Sequence, residues 1–228
     1  MESRIADNLA CVKKRIRQAE QQYQRPPGTV QLIAVSKTRP AGEILAAAAA
    51  GQRHFGENYL QEALEKITAL ADRKLYWHFI GPIQSNKTRL IAAHFDWVHS
   101  VDRLKIARRL SEQRPAHLPP LNVCLQVNIS NESSKSGLPL AGLADTAREV
   151  AELPNLRLRG LMAIPKRSSN PADQRIPFHQ MHQALVSLAA AKISLDTLSM
   201  GMSADLEAAI AEGATMVRVG TDIFGPRN

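Results

Sequence analysis

Residues 194–219 read SLDTLSMGMSADLEAAIAEGATMVRV, a strand, a helix and a second strand in succession. Apolar and β-branched residues fill the two outer runs, Ser194–Ser199 and Thr215–Val219, and this composition predicts strands. The segment between them, Ala204–Glu212, has a helical pattern, and Gly213 is typical of a helix stop. A strand–helix–strand unit of this kind predicts parallel strands joined by a helical crossover.

The same alternation extends through the rest of the sequence. Six further apolar runs predict strands: Gln31–Ser36, Arg53–Phe55, Leu75–Ile80, Trp97–Val101, Leu121–Val127 and Arg157–Ile164. Six further segments predict helices: Pro40–Ala50, Tyr59–Ala71, Ser85–His94, Asp102–Glu112, Pro139–Leu153 and Phe178–Ala191. Eight strands alternating with seven helices predict an α/β protein with a single (β/α)₈ barrel. The alternative is an open doubly wound sheet, but no Gly-x-Gly-x-x-Gly fingerprint follows the first strand.

An extra helix is predicted before the barrel. Its apolar stripe consists of Ile5, Leu9, Val12 and Ile16, and the Pro-Pro-Gly in Gln24–Gly28 ends it. We therefore expect one domain over 1–228, with the helix and turn in 1–28 and the barrel in 29–228. The residues after Val219 are too few for a full eighth helix, so the first helix is expected to cover the flank where strands eight and one meet. The segment Lys166–Pro177 is predicted to be an exposed loop.

Composition narrows the class of protein further. A hydrophobic content of 44% with 22% charged residues is ordinary for a globular protein. No apolar run is long enough to span a membrane, and the N-terminus lacks the apolar core of a signal peptide. The two cysteines, Cys11 and Cys124, are far apart and indicate neither a disulfide framework nor a zinc site. We expect a cytoplasmic protein that is a monomer in solution.

The net charge of +8 raises the possibility of nucleic-acid binding. The cations are scattered along the polar sides of predicted helices, and no aromatic ladder for stacking bases accompanies them. No specific nucleic-acid partner is therefore expected. His179 and His182 stand at helical spacing, but without a third ligand in view they do not predict a metal site.

The end of the first predicted strand carries a candidate nucleophile. Lys37 follows the apolar run Leu32–Val35, and side chains at the carboxyl ends of barrel strands face the usual position of the active site. Partial desolvation there would favour the neutral, nucleophilic amine. From the residues alone, a lysine that extends to solvent is the favoured interpretation.

The ends of strands seven and eight predict an anion site. Ser199, Gly201 and Ser203 occupy the first turn, with Ser203 as the expected N-cap of the following helix. Gly220 and Thr221 occupy the second turn, and Gly220 follows Arg218 by two residues. Two small turns rich in hydrogen-bond donors at adjacent strand ends predict phosphate binding.

Other polar residues end the remaining strands. Asn58, His78, Met162 and the loop that contains Lys135 all follow or end predicted strands. Their gathering at one end of the barrel indicates one site. Lys135 is either a solvated loop charge or a group that meets the ligand during entry and exit.

Several stretches together resemble a known family: AVSKT, HFGENYLQE, WHFIGPIQSNK, SKSGL, RGLMAI and LSMGMSADLEAAIAEGATMVRVGTDIFG. They resemble the pyridoxal phosphate homeostasis proteins, which are similar to the barrel domain of alanine racemase. The resemblance implies pyridoxal 5′-phosphate as cofactor and Lys37 as the lysine that forms its Schiff base. It implies a phosphate cradle of Ser199, Ser203, Gly220 and Thr221, with backbone contacts from Met200 and Gly201. It further implies that Arg218 faces the pyridine nitrogen, while Asn58, His78 and Met162 line the ring. Asp222 departs from the small residue expected at its position.

The implied Arg218 bears on function. A guanidinium cannot accept a hydrogen bond, so it favours an unprotonated pyridine nitrogen and a weak electron sink. The sequence also ends at Asn228, without the second domain through which racemases of this type complete their sites. Both points favour a cofactor carrier that serves apo-enzymes transiently over an amino-acid racemase, which is the main alternative. A phosphate-sugar enzyme with Lys37 bonded to its substrate is a further alternative.

Overall fold

A computed structural model describes residues 2–132 and 135–226. Eight parallel strands close into a barrel in chain order, and the eighth strand pairs with the first. The strands are β1 (Gln31–Val35), β2 (His54–Glu57), β3 (Tyr76–Phe79), β4 (Trp97–Val101), β5 (Leu121–Gln126), β6 (Leu156–Met162), β7 (Thr197–Ser199) and β8 (Met216–Val219). The predicted (β/α)₈ barrel is confirmed, and the open doubly wound sheet is excluded.

Helices surround the barrel. They are α1 (Glu2–Gln22), α2 (Ala41–Ala49), α3 (Leu60–Ala69), α4 (Thr88–His94), α5 (Leu104–Gln113), α6 (Leu143–Ala151), α7 (Pro171–Ala190), α8 (Leu206–Ala211) and α9 (Thr221–Phe224), with a 3₁₀ turn at Ser85–Lys87. The helix that precedes the barrel, α1, packs against α2, α8 and α9. Its predicted apolar stripe, from Ile5 to Ile16, is buried. The first helix therefore covers the flank beside β8 and β1, as expected, and the short α9 stands where a full eighth helix would be.

Arg15 connects α1 to the carboxyl end of the barrel by ion pairs and a hydrogen bond. Its guanidinium lies 2.8 Å from a carboxylate oxygen of Glu207 and 2.6 Å from one of Asp222, and it donates to the carbonyl of Ser203. These bonds account for Asp222, the residue that departs from the family pattern. Its carboxylate is one half of an ion pair between α1 and α9.

Two local predictions are wrong. The segment Lys166–Pro177 is not a loop throughout, because α7 begins at Pro171. Proline suits the first turn of a helix, and the Asn170 side chain caps this turn by accepting from the backbone N–H of Ala172. The N-cap of α8 is Asp205 and not Ser203. Residues 202–205 first form a turn in which the Asp205 carboxylate accepts from the backbone N–H of Met202, so the helix begins later.

The inside of the barrel differs in character from its outside. Among the described residues, apolar side chains between the sheet and the helices form the main core. A separate, smaller apolar cluster inside the barrel consists of Ile33, Trp97, Cys124, Met162 and Met216. The rest of the interior holds buried polar side chains, among them His78, His99, Ser199 and Arg218. Buried polar side chains need hydrogen-bond partners inside the barrel. Some of these partners lie at the carboxyl ends of the strands.

Candidate functional site

A cavity of about 420 Å³ opens at the carboxyl end of the strands. Its lining includes Val35, Lys37, Arg39, Asn58, Ile80, Ile164, Arg167, Met202, Ser203, Asp205, Arg218, Gly220 and Thr221. Six of the predicted site residues therefore meet in one place: Lys37, Asn58, Ser203, Arg218, Gly220 and Thr221. Active sites of barrel enzymes form at this end of the fold.

The backbone on both sides of Lys37 is tightly held. The N–H of Ser36 bonds to the carbonyl of Gly56 at 3.0 Å, and the N–H of Thr38 bonds to a carboxylate oxygen of Glu62 at 2.6 Å. Thr38 adopts a left-handed conformation with φ of 65°, which is rare for a β-branched residue and costs on the order of 1–3 kcal/mol. Strain of this kind persists only where the surroundings hold the backbone. Lys37 is therefore presented from a fixed position.

A buried ion cluster supplies this hold. The ammonium of Lys66 lies 2.8 Å from the carbonyl of Ser36, 2.9 Å from Glu57 and 2.5 Å from Glu62. The Ser36 hydroxyl donates to the same Glu57 oxygen at 2.6 Å, while the second oxygen of Glu57 is buried without a hydrogen-bond partner among the described residues. Burial raises the pKa of Glu57, and the Lys66 charge opposes this shift. The cluster thus stabilises β1, β2 and α3 where Lys37 leaves the barrel.

The turns after β7 and β8 offer backbone donors to the cavity. None of the described residues accepts a hydrogen bond from the N–H groups of Ser203, Gly220 or Thr221. A side chain on Gly220 would bring its Cβ to 3.1 Å from the carbonyl oxygen of Val35. Uncommitted N–H groups on residues that line one cavity, together with a close-packed glycine, fit an anion such as a phosphate.

Arg218 projects from the interior face of β8 to the floor of this cavity. Its Nη1 donates to the carbonyl and the hydroxyl of Ser199, both at 2.6 Å, and its Nη2 donates to the carbonyl of Ala163 at 2.9 Å. Burial lowers the pKa of Arg218 to about 10, with Asp205 opposing the shift. The group therefore stays cationic at neutral pH and offers only donors.

Five predicted site residues are not among those that line the cavity: His78, Met162, Ser199, Met200 and Gly201. All five are buried. Ser199 contributes through Arg218, and the carbonyl of Gly201 accepts from the Arg218 backbone N–H at 2.9 Å. Met162 packs inside the barrel, and His78 bonds to two other histidines. These residues support the floor of the cavity.

Four charged or flexible lining residues were missed by the sequence analysis: Arg39, Arg167, Met202 and Asp205. They sit in loops whose course depends on tertiary packing.

Lys135 lies close to the rim of the cavity. Its ammonium is 2.6 Å from a Glu132 oxygen and 3.4 Å from the carbonyl of Ile164, which lines the cavity. His179 bonds to Glu212 at 2.9 Å and lies away from this cavity. In the described ranges, no helix is both long and apolar enough to cross a bilayer.

Gly81 fixes the position of Asn58 on the cavity wall. A Cβ at Gly81 would lie 2.1 Å from the backbone oxygen of Asn58, which is an impossible contact. Gly81→Ala should therefore lower the free energy of unfolding by about 1–3 kcal/mol, measured by urea denaturation. The matched control is Gly42→Ala in α2, where nothing lies within 4 Å of the new methyl group. That change should raise stability by about 0.5–1 kcal/mol, and equal effects of both substitutions would refute the packing argument.

The fold and the site together define a barrel of the alanine racemase type with Lys37 in the cavity at its mouth. The family described as "Alanine racemase, N-terminal domain" matches residues 8–228. The chain is 63% identical to the pyridoxal phosphate homeostasis protein of Pseudomonas aeruginosa, over 99% of this chain and 97% of that protein. It is 56% identical to the protein of the same name from Escherichia coli, with coverage of 98% and 97%. The chain belongs to the pyridoxal phosphate homeostasis protein family.

A solved structure agrees with this assignment. PipY of Synechococcus elongatus, with PLP bound, has a TM-score of 0.84 and 42% sequence identity, over 97% of this chain and all of that one. The resemblance inferred from the motifs is therefore confirmed.

Proposed function

We propose that this chain binds pyridoxal 5′-phosphate, holds it as a Schiff base on Lys37 and serves intracellular homeostasis and delivery of that cofactor without catalytic turnover. The observation that carries the proposal is one cavity lined both by Lys37 and by Ser203, Gly220 and Thr221, whose N–H groups are uncommitted among the described residues. An amine and a phosphate cradle in one cavity suit an aldehyde that carries a phosphate. The family names and the cofactor-bound relative support the same ligand.

The residues around the cavity fit this ligand chemically. The donors at the β7 and β8 turns would hold the phosphate, assisted by the nearby positive charge of Arg39 and Arg167. Asn58 would contact the ring, and His78, Met162, Ser199, Met200 and Gly201 would act from beneath the cavity floor. When bound, the cofactor supplies an aldehyde that condenses with amines and a ring that can withdraw electrons.

Arg218 is compatible with storage of the cofactor. Its guanidinium donates to Ser199 and Ala163 and stays cationic, so a ring nitrogen placed against it can only accept a hydrogen bond. An unprotonated ring is a weak electron sink and supports carbanion chemistry poorly. A carrier has no need of this chemistry, so a weak electron sink is compatible with the proposed role.

Delivery requires access, and the cavity opens at the barrel mouth. We propose that the loaded chain acts as a cytoplasmic monomer and meets apo-enzymes transiently, without a specific nucleic-acid or membrane partner. The rim residue Lys135 is a candidate for contact with the departing cofactor, since its ammonium lies near Ile164.

The competing function is racemisation of an amino acid, which the match to the alanine racemase barrel favours. The loaded chain should convert a panel of L-amino acids no faster than free cofactor does, as measured by chiral chromatography. In parallel it should restore the activity of an apo-enzyme that requires the cofactor. Saturable racemisation of any amino acid would contradict the carrier proposal, and failure to restore the apo-enzyme would contradict delivery.

A further inference from the structure

A chain of hydrogen bonds crosses the barrel interior beneath the cavity. His54 Nδ1 lies 2.9 Å from His78 Nε2, His78 Nδ1 lies 2.9 Å from His99 Nε2, and His99 Nδ1 lies 2.8 Å from the Ser199 hydroxyl. The same hydroxyl is 2.6 Å from Arg218 Nη1. The three histidines come from the consecutive strands β2, β3 and β4. His78 and His99 are fully buried, and His54 is half-buried.

Arg218 sets the direction of every bond in this chain. A guanidinium only donates, so the Ser199 oxygen accepts from it. Because no other described residue accepts the buried Ser199 hydroxyl hydrogen, that hydrogen is donated to His99 Nδ1. His99 must then carry its proton on Nε2, which donates to His78 Nδ1. By the same reasoning His78 donates from Nε2 to His54 Nδ1. All three rings are therefore neutral and share the Nε2–H tautomer.

The surroundings favour the neutral rings. Burial, followed by the charge of Arg218, lowers the pKa of His99 to about 3. Burial is also the main cause that lowers the pKa of His78 and of His54. Tyr76 stacks on His54 at 4.7 Å between ring centroids, and Trp97 stacks on His78 at 5.6 Å. These stacked rings hold the imidazoles in the planes that the chain requires.

We propose that His99, with His78 behind it, is a positioning residue for cofactor binding, because it orients the Ser199 hydroxyl that fixes the Arg218 guanidinium. With the hydroxyl hydrogen committed to His99, the Ser199 oxygen stays an acceptor for Nη1. The Ala163 carbonyl holds Nη2, so the guanidinium plane has one orientation at the cavity floor. Without His99 the Ser199 hydroxyl is free to rotate, and Nη1 loses this fixed acceptor while it keeps the Ser199 carbonyl. This inference rests on the proposed function, since the cofactor ring is what Arg218 would meet.

The tautomers can be tested without the cofactor. Nitrogen-15 chemical shifts of the histidine rings, recorded on the protein freed of cofactor, should show His78 and His99 as Nε2–H tautomers. These signals should not change between about pH 5 and pH 8. A mixture of tautomers, or a titrating His99, would overturn the proposed chain irrespective of the function of the protein.

The coupling to the cavity is tested by equilibrium binding of pyridoxal 5′-phosphate, followed by its absorbance. His99→Leu should weaken binding about tenfold, the equivalent of roughly one lost hydrogen bond at the cavity floor. His99→Gln should stay close to the parent, because its amide oxygen can accept from Ser199. His94→Leu, at an exposed histidine on α4, is the matched control.

The outcomes separate the two proposals. If the parent chain does not bind the cofactor, the proposed function fails, while the tautomers still decide whether the chain of bonds exists. If the parent binds and His99→Leu binds equally well, the positioning role is overturned. Should His99→Leu not fold by circular dichroism, Ser199→Ala replaces it. That variant removes the hydroxyl itself, and parent-like binding by it would equally overturn the role.

Discussion

Lys37→Ala should abolish the cofactor adduct that borohydride fixes to the protein. Reduction of the loaded parent should place the adduct on Lys37 alone, because its amine shares the cavity with the donor-rich turns after β7 and β8. The variant lacks the amine but keeps those turns, so it should retain cofactor reversibly, with an affinity lower by on the order of tenfold or more. Peptide mapping by mass spectrometry measures the adduct, and equilibrium dialysis measures the retained cofactor.

Two controls make this result specific. Lys37→Arg keeps a positive charge at the same position but cannot form the Schiff base, so it should also lack the adduct. Lys87→Ala removes an exposed lysine of the 3₁₀ turn after β3 and should behave as the parent does. An adduct mapped only to Lys87 or Lys135 would show that the cavity lysine has been misassigned.

The barrel was predictable because its strands and helices carry periodic signals that do not depend on each other. Each strand is a short apolar run, each helix has its own stripe, and a count of eight strands already favours closure. The errors arose at residue types that are common in two different local structures. Proline at 171 is typical of a loop, yet it is the first residue of α7. Ser203 is typical of an N-cap, although the N-cap of α8 is Asp205.

The site residues at the carboxyl ends of the strands were predictable, whereas those inside the barrel were not. Lys37, Gly220 and Thr221 could be located because barrel chemistry gathers at the carboxyl ends. The hydrogen-bonded row of histidines was missed, although His54, His78 and His99 lie on three consecutive strands and face into the barrel. Inward-facing histidines on consecutive strands could have predicted a polar barrel interior. Its hydrogen-bond directions could not be inferred, since they depend on Arg218 and Ser199 from the far side of the barrel.

The buried lysine of α3 shows that apolar periodicity alone does not predict which polar side chains are buried. Lys66 follows Ala63 by three residues and precedes Leu70 by four, so it lies on the buried stripe of the helix. A lysine on such a stripe would ordinarily be assigned to solvent. Its partners, Glu57 and the Ser36 carbonyl, lie at the carboxyl ends of the neighbouring strands β2 and β1, far from Lys66 in the sequence.

Lys66→Met should be the most destabilising of the substitutions considered. It keeps the length and much of the volume of the side chain but leaves the Glu57 carboxylate buried without its cation. Breaking a buried pair in this way costs about 3–5 kcal/mol, measured as the free energy of unfolding in urea. Loss of the bond to the Ser36 carbonyl should also loosen the backbone before Lys37 and lower the yield of the reducible adduct.

The pH dependence of this loss identifies its cause. Burial already raises the pKa of Glu57 in the folded chain, and the Lys66 charge opposes that shift, so the variant should raise it further. The folded variant then binds a proton that the unfolded chain releases, and its stability falls as the pH rises through that range. The destabilisation should therefore be smaller at about pH 5 than at about pH 8. Lys105→Met, at an exposed lysine of α5, should change stability by less than about 0.5 kcal/mol at either pH. A loss for Lys66→Met that does not vary with pH would mean that packing, and not the uncompensated carboxylate, is responsible.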